Sequence, residues 1–367
     1  MRVEKASHTE IAGWLNRIEA ATGRLERASK TPLGQLERFH GFPRHSTPPT
    51  FWKTYVSGPK YSYDQMPDLT GKVAIVTGAN IGLGYATMVA LAGHGAHVFA
   101  ACRSKQRATE AIERALVEVK ERFPNTAPQD PQIEFLELDL NDLHKVRRAA
   151  KEFLDRGLPL HILVNNSGIM GVPYQLSADG IESQFAVNHM GHFVFTMDLL
   201  DRIKTSQPSR IVVLSSLGHE TTVKGGIDFE TLNDETKSSA MTRYGRSKLA
   251  NILFGKALAR RLKDERVYVN IAHPGFVATA LSRSANETYG ASAEKVFDFM
   301  KSWMAMTPET GALTQLYLAT TAYARDEELQ EKLWEFSEEL VREKLGKKKP
   351  AAAAAAAATS SSAGPKN

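Results

Sequence analysis

One cysteine, Cys102, is present in the 367 residues. A lone thiol cannot close an intrachain disulfide, so a small disulfide-stapled secreted scaffold is excluded and a reducing, cytoplasmic compartment fits. The sequence has no run of about 18 apolar residues, the length a transmembrane helix needs. Its start, Met1-Arg2-Val3-Glu4-Lys5, lacks the apolar stretch of a secretory signal. The eleven histidines show no metal-ligand spacing; His189 and His192 are three apart, but no carboxylates or further histidines recur around them, so no metal is expected. They read as packed or cofactor-side histidines. A basic central domain is missing too. The net charge of +5 sits at the ends: residues 1–66 hold ten Lys/Arg against six Asp/Glu, and 347–367 hold four lysines and no acid. That leaves 67–346 at −3 and gives no basis for a nucleic-acid partner.

What remains is ordinary globular composition, 42% hydrophobic and 24% charged, enough for one large domain with extensions. Three zones follow. Residues 1–66 form an N-terminal extension, with an amphipathic stretch over 9–29 and then a Pro/Gly/His-rich arm over 41–65. The bland reading is an extension packed on the body. Trp14 with Arg17, Arg24 and Arg27 keeps a membrane-surface or partner helix open. Residues 347–367, with three lysines, eight alanines and a Ser-rich close, read as a disordered tail. The body, 67–346, alternates strand-like bursts at 73–76, 97–101, 133–137, 161–164, 210–214 and 267–272 with helical stretches at 82–93, 105–122, 141–155, 181–205 and 242–263. Continuous apolar strands alternating with helices predict a doubly wound α/β domain, Rossmann-like, with a parallel sheet covered on both faces. Ligands bind such sheets beyond the carboxyl ends of the strands.

The first strand runs into Thr77-Gly78-Ala79-Asn80-Ile81-Gly82-Leu83-Gly84 and then a helix. Glycines there permit a tight turn and let a pyrophosphate approach a helix N-terminus, where free N–H groups favour anions. The spacing is G-x3-G-x-G rather than G-x-G-x-x-G. Gly78, Asn80, Ile81, Gly82, Leu83 and Gly84 are therefore the candidate phosphate cradle. At the end of the second strand an acid would bind a ribose 2′-hydroxyl and a cation would accommodate a 2′-phosphate. The residues are Ala101-Cys102-Arg103-Ser104, without an acid, so Arg103 argues for NADP(H). Asp139, after the third strand, offers a carboxylate to an adenine amino group, and Asn166, after the fourth, offers an amide near the cofactor edge.

Among the tyrosines only Tyr244 has a lysine four residues on, Lys248. Residues i and i+4 share a helix face. A phenol is a poor acid–base group at neutral pH unless a nearby cation lowers its pKa. Ser215-Ser216 ends the fifth strand, where a hydroxyl can bond a substrate carbonyl, and Asn188 lies in the helix after the fourth.

These motifs together resemble the short-chain dehydrogenase/reductase family in its single-domain form, over about 68–346. Ala101-Cys102-Arg103, Asn188-His189-Met190-Gly191-His192, Ser247-Lys248-Leu249-Ala250-Asn251 and Leu333-Trp334-Glu335-Phe336-Ser337 resemble the retinol-dehydrogenase-like branch and its fungal relatives. The resemblance implies that Tyr244 exchanges the proton with the carbonyl oxygen and that Ser216, preferred over Ser215, orients that oxygen. Lys248 would bind the nicotinamide ribose and hold down the tyrosine pKa. Asn188 would hold a relay water, and Val277 and Thr279, after Pro274-Gly275, would contact the nicotinamide. Phe297, Phe299, Met300, Trp303, Met304 and Met306 would form a substrate lid, and 218–240 the other wall of the cleft. Their bulk suggests a lipophilic aldehyde, ketone or alcohol.

Two departures stand out. Ser167 occupies a usual alanine position, and residues 320–325 pass almost directly into a final helix, so a seventh, edge strand reads as missing or rudimentary. The function implied is NADP(H)-dependent carbonyl–alcohol interconversion on a lipophilic small molecule. The readings kept beside it are a tailoring reductase of a fungal secondary-metabolite pathway and a catalytically silent NADP-sensing protein. Relatives of this kind also leave peripheral membrane or lipid-droplet contact and homo-oligomer formation open.

Overall fold

The structure, a computed structural model, describes residues 61–223, 225–275, 277 and 306–321. The stretch 9–29, most of the arm, Lys224, Thr279, the lid residues 297–304, the anticipated gap at 322–325 and the tail lie outside the described residues.

Strands β1 (Val73–Thr77), β2 (His97–Cys102), β3 (Ile133–Glu137), β4 (Ile162–Asn165), β5 (Ser209–Leu214) and β6 (Val267–Ala272) form one six-stranded sheet among the described residues. The order is β3-β2-β1-β4-β5-β6, and every neighbouring pair is parallel. Helices α1 (Gly82–Gly93), α2 (Lys105–Arg122), α3 (Leu143–Asp155), α4 (Gly191–Thr205), α5 (Ala240–Arg261) and α6 (Pro308–Thr320) cover its faces. Successive side chains of a strand point to opposite faces, and β1 shows it: Ala74 and Val76 join Met88, Leu91 and Leu316 on one side. Val73 and Ile75 join Phe153, Leu163 and Leu199 on the other. Both faces are dry, which is why β1 reads as an unbroken apolar run rather than an alternation. The strand order reverses between β1 and β4, which opens a crevice at their carboxyl ends.

Helix boundaries follow capping groups. The Asp142 carboxylate accepts from Lys145 N at 3.1 Å, so α3 starts at Leu143 rather than 141. Ser239 Oγ accepts from Thr242 N at 3.2 Å, which starts α5 at Ala240, two residues before the periodicity begins. The stretch predicted as one helix over 181–205 is divided. Glu182 caps a helical turn at Ser183–Phe185, a π-turn runs through Ala186–Met190, and α4 follows. Periodicity cannot register one inserted residue per turn, and such π-turns concentrate at functional sites.

Residues 61–66 pack on the body. Tyr63 Oη donates to Glu309 O at 2.7 Å, Tyr61 Oη and Thr320 Oγ1 are 3.0 Å apart, and the Arg122 guanidinium lies 5.2 Å from the Tyr63 ring centre. No helix among the described residues is long and apolar enough to cross a membrane.

Candidate active site

The glycine turn leaves β1 with Gly78 at φ +67° and Gly82 at φ +61°, a left-handed conformation that a side chain would strain. A Cβ at Gly84 would strike Gly78 O and come within 2.6 Å of Asn166 Nδ2. The chain therefore closes on itself there as only glycine permits. No side chain caps α1, so its first N–H groups point out of the turn, the arrangement that receives an anion. Asn80 Oδ1 accepts from Cys102 Sγ at 3.7 Å, and burial pushes that thiol up to about 11. Cys102 is thus a packing group beside the turn. Arg103, the next residue, is exposed. Asp139 stands one residue beyond Leu138, whose N–H bonds Cys102 O at 3.0 Å, and its carboxylate meets Lys145 Nζ at 3.4 Å.

Asn166 is tied into the same turn. Its Nδ2 donates to Thr77 O at 2.8 Å, and Thr77 Oγ1 accepts from Asn166 N and Ser167 N, both at 2.9 Å. With both acceptor positions filled, the Thr77 hydroxyl donates its proton, with His192 Nε2 at 2.8 Å and Val164 O at 3.4 Å as its acceptors. His192 Nδ1 lies 3.0 Å from Asn188 O, so the imidazole is neutral, and burial holds its pKa down to about 3. It is a packed histidine, as the sequence suggested for this pair. Sequence reading missed Thr77 as the hub joining β1 to β4; its hydroxyl at the end of an apolar strand was the available signal. Ser167 is accommodated, 3.1 Å from the Cβ position of Gly78.

The predicted catalytic side chains converge at the carboxyl ends of β4 and β5. Tyr244, Lys248 and Asn188 are buried. Tyr244 and Ser216 come together at Gly218, whose Cβ position is 2.6 Å from Tyr244 Cε1 and 3.4 Å from Ser216 Oγ, and Ser216 Oγ accepts from Gly218 N at 3.1 Å. Ser215 points elsewhere and donates to Lys248 O at 2.8 Å, so of the adjacent serines only Ser216 meets the phenol. Lys248 Nζ donates to Leu214 O at 3.3 Å and lies 5.8 Å from the Tyr244 ring centre. Asn188 Oδ1 accepts from Ile169 N at 2.8 Å, and its Nδ2 donates to Ile169 O and Ser247 Oγ, both at 2.9 Å. Both amide protons are used, leaving the second lone pair of Oδ1. Asn188 and Lys248 approach each other across Gly168, whose Cβ position is 3.2 Å from Asn188 Oδ1 and 3.4 Å from Lys248 Nζ.

Burial pushes Tyr244 up to about 12, and Ser216 opposes it. Burial also brings Lys248 down to about 8. The ammonium lies beside the Tyr244 ring and bonds a backbone carbonyl.

Two glycines that sequence reading passed over make this contact possible. A Cβ at Gly218 would lie 2.6 Å from Tyr244 Cε1, and one at Gly245 would lie 2.5 Å from Gly218 O. Their bare backbones let the 3-10 turn Leu217–Thr221 sit directly on α5. Val277 bridges Met306, and with Leu83 it packs against Gly311 of α6, whose Cβ position is 2.5 Å from Val277 Cγ2 and 2.9 Å from Leu83 Cδ2. Thr279 lies outside the described residues.

The comparisons with known proteins agree with this geometry. The family model for short chain dehydrogenases matches residues 72–290. Retinol dehydrogenase 14 of Mus musculus is 40% identical over 294 residues, covering 74% of this chain and 86% of that protein. Retinol dehydrogenase 11 of the same organism is 43% identical over 273 residues, covering 74% and 80%. Among solved structures, the Pseudomonas aeruginosa RhlG/NADP active-site complex superimposes with a TM-score of 0.53 at 25% identity, covering 70% of this chain and 92% of that one. On the extent of these matches, the chain belongs to the short-chain dehydrogenase/reductase family of oxidoreductases and is retinol-dehydrogenase-like within it.

Proposed function

We propose that this protein reduces an aldehyde or ketone on a lipophilic small molecule to the alcohol, using NADPH. The observation that carries the reading is the convergence of buried Tyr244 and Lys248 with Ser216 at the carboxyl ends of β4 and β5, beside the glycine turn.

The residues fit a dinucleotide. The turn from Gly78 to Gly84 is a backbone cradle that a Cβ at Gly84 would fill, and Asn80, Ile81, Gly82 and Leu83 complete its wall. Arg103, exposed at the end of β2, suits a 2′-phosphate. Asp139 would take the adenine amino group, Asn166 the near edge, and Val277 and Thr279 the nicotinamide end. When bound, the cofactor supplies the hydride.

The protein's own groups then have these parts. Tyr244 carries its proton before the reaction, and the Lys248 ammonium beside its ring stabilises the phenolate left when that proton goes to a carbonyl oxygen. Ser216 accepts from Gly218 N, stands beside the phenol ring at Gly218, and orients the substrate oxygen. Lys248, protonated below about 8, supplies positive charge under the phenol ring and a donor for the cofactor ribose. Asn188 offers its remaining lone pair to a water that resupplies protons through Lys248. The lipophilic class is supported by exposed apolar side chains on the segment leaving Ser216: Leu217, Val223 and Phe229, the last 74% exposed. They give an apolar molecule a surface to cover.

The test is NADPH oxidation against a panel of aliphatic, aromatic and terpenoid aldehydes and ketones, with NADH in parallel. Wild type is expected to turn over with NADPH. Tyr244→Phe is expected to lose roughly 10²–10⁴-fold in kcat while still binding NADPH. Undiminished turnover by that variant overturns the assignment. NADPH binding by wild type without reduction of any carbonyl points instead to a catalytically silent, NADP-sensing protein.

A further inference from the structure

α5 has a second working face. Tyr244 and Lys248 serve the crevice, while Arg243 and Arg246, also buried, reach into the two segments that border it. Arg243 Nη1 donates to Ser238 O at 2.6 Å. Arg246 Nη1 donates to Thr231 O and Leu232 O, both at 3.3 Å. The 228–239 segment is thereby held from beneath.

On the opposite side, Arg243 Nε lies 3.5 Å from Glu182 Oε1, with the two side chains only 6% and 2% exposed. The Glu182 carboxylate also accepts from Gln184 N at 3.1 Å and Phe185 N at 2.9 Å, the start of the turn that leads to Asn188. Across the top runs Asn233. Its Oδ1 accepts from Glu182 N and its Nδ2 donates to Gly180 O, both at 2.8 Å, while its carbonyl accepts from Tyr174 Oη at 2.5 Å. One side chain thus joins the segment after β5 to the segment after β4.

We propose that Asn233, seated on the buried Glu182–Arg243 pair, is a positioning residue that clasps the 228–239 part of the substrate-cleft wall to the segment after β4 and so fixes where that wall stands. This rests on the cleft reading given above. Among the described residues between 222 and 239 there is a single bridge, Val223 with Gly226, and one short 3-10 turn at Glu235–Lys237. A segment with so few backbone ladders takes its position from side-chain bonds. An apolar substrate gains by water exclusion, so a cleft whose walls part binds it less well while the acid and cofactor groups stay in place. Asn233 is exposed, so its replacement costs little packing. The buried carboxylate and guanidinium hold the frame on which it acts.

The experiment compares wild type, Asn233→Ala and Asn233→Asp as full chains with NADPH and the best carbonyl of the panel, with hydrogen exchange of 228–239 measured alongside. For Asn233→Ala the expected result is a KM raised about tenfold, as fits the loss of two hydrogen bonds. The kcat and the NADPH Kd should stay near wild type, and exchange in 228–239 should quicken. Asn233→Asp keeps the acceptor for Glu182 N and loses the donor to Gly180 O, so its KM should fall between the two. An unchanged KM overturns the proposal. So does a joint fall of kcat, NADPH binding and Tm, the mark of a merely structural residue. If wild type reduces no carbonyl, the functional reading fails on its own. The exchange comparison then still decides the clasp: unaltered exchange in Asn233→Ala overturns it.

Discussion

Two connections from a strand to the next helix, after β1 and after β5, are built by opposite means. The first is a tight turn shaped by backbone: Gly78 and Gly82 at positive φ, Gly84 pressed on Gly78 O, and an uncapped helix start. The second is long and shaped by side chains bonded to carbonyls. Ser215 holds Lys248 O, Thr221 holds Gly218 O and Met241 O, and the two arginines of α5 hold Ser238, Thr231 and Leu232. On the proposed function, the backbone cradle suits the one fixed shape of a pyrophosphate, and side-chain bonds let the second connection be re-cut without disturbing it.

The sharpest way to break this comparison is to insert the same methyl group into each connection. Gly84→Ala drives a Cβ into Gly78 O, and NADPH binding is expected to be lost by calorimetry or cofactor fluorescence. Gly218→Ala drives a Cβ into the Tyr244 ring, 2.6 Å from Cε1. It is expected to cost about 10²-fold in kcat through misplacement of the phenol while NADPH still binds. If both variants lose the cofactor, the two connections are not separable. Arg103→Ala is the next in size. Removing one charge-assisted contact is expected to weaken NADPH by roughly 10–100-fold and to leave NADH unchanged, read by paired titrations; equal losses remove Arg103 from the phosphate site.

The smallest effect is in pH. With Lys248 lowered to about 8, its ammonium is present below that pH and disappears as pH rises through it. Tyr244, raised to about 12, keeps its proton throughout. Carbonyl reduction is expected to be flat near neutrality and to fall above about pH 8. A profile flat to pH 10 would show that burial does not set the lysine.

Much of the nucleotide side was legible in the sequence because each feature there is local. Glycines after an apolar strand, an arginine after the second strand and Tyr244 with Lys248 one helical turn apart are all read from neighbours along the chain. The preference for Ser216 over Ser215 came from the resemblance and not from spacing, which cannot show that Ser215 Oγ donates to Lys248 O. The π-turn at Asn188 stayed hidden for a similar reason. It is framed by Glu182 bonding Arg243 and by Asn188 bonding Ile169 and Ser247, partners that lie elsewhere in the chain.

The sequence by itself determined the parallel α/β architecture, since apolar strands buried on both faces and alternating with helices admit little else. It also determined the chemical types at the crevice. Only the tertiary structure decided how deeply Tyr244 and Lys248 are buried and that Tyr244 meets Ser216 at Gly218. Solvation and distance act through space, and neither burial nor the direction of a hydroxyl is written in the spacing of residues.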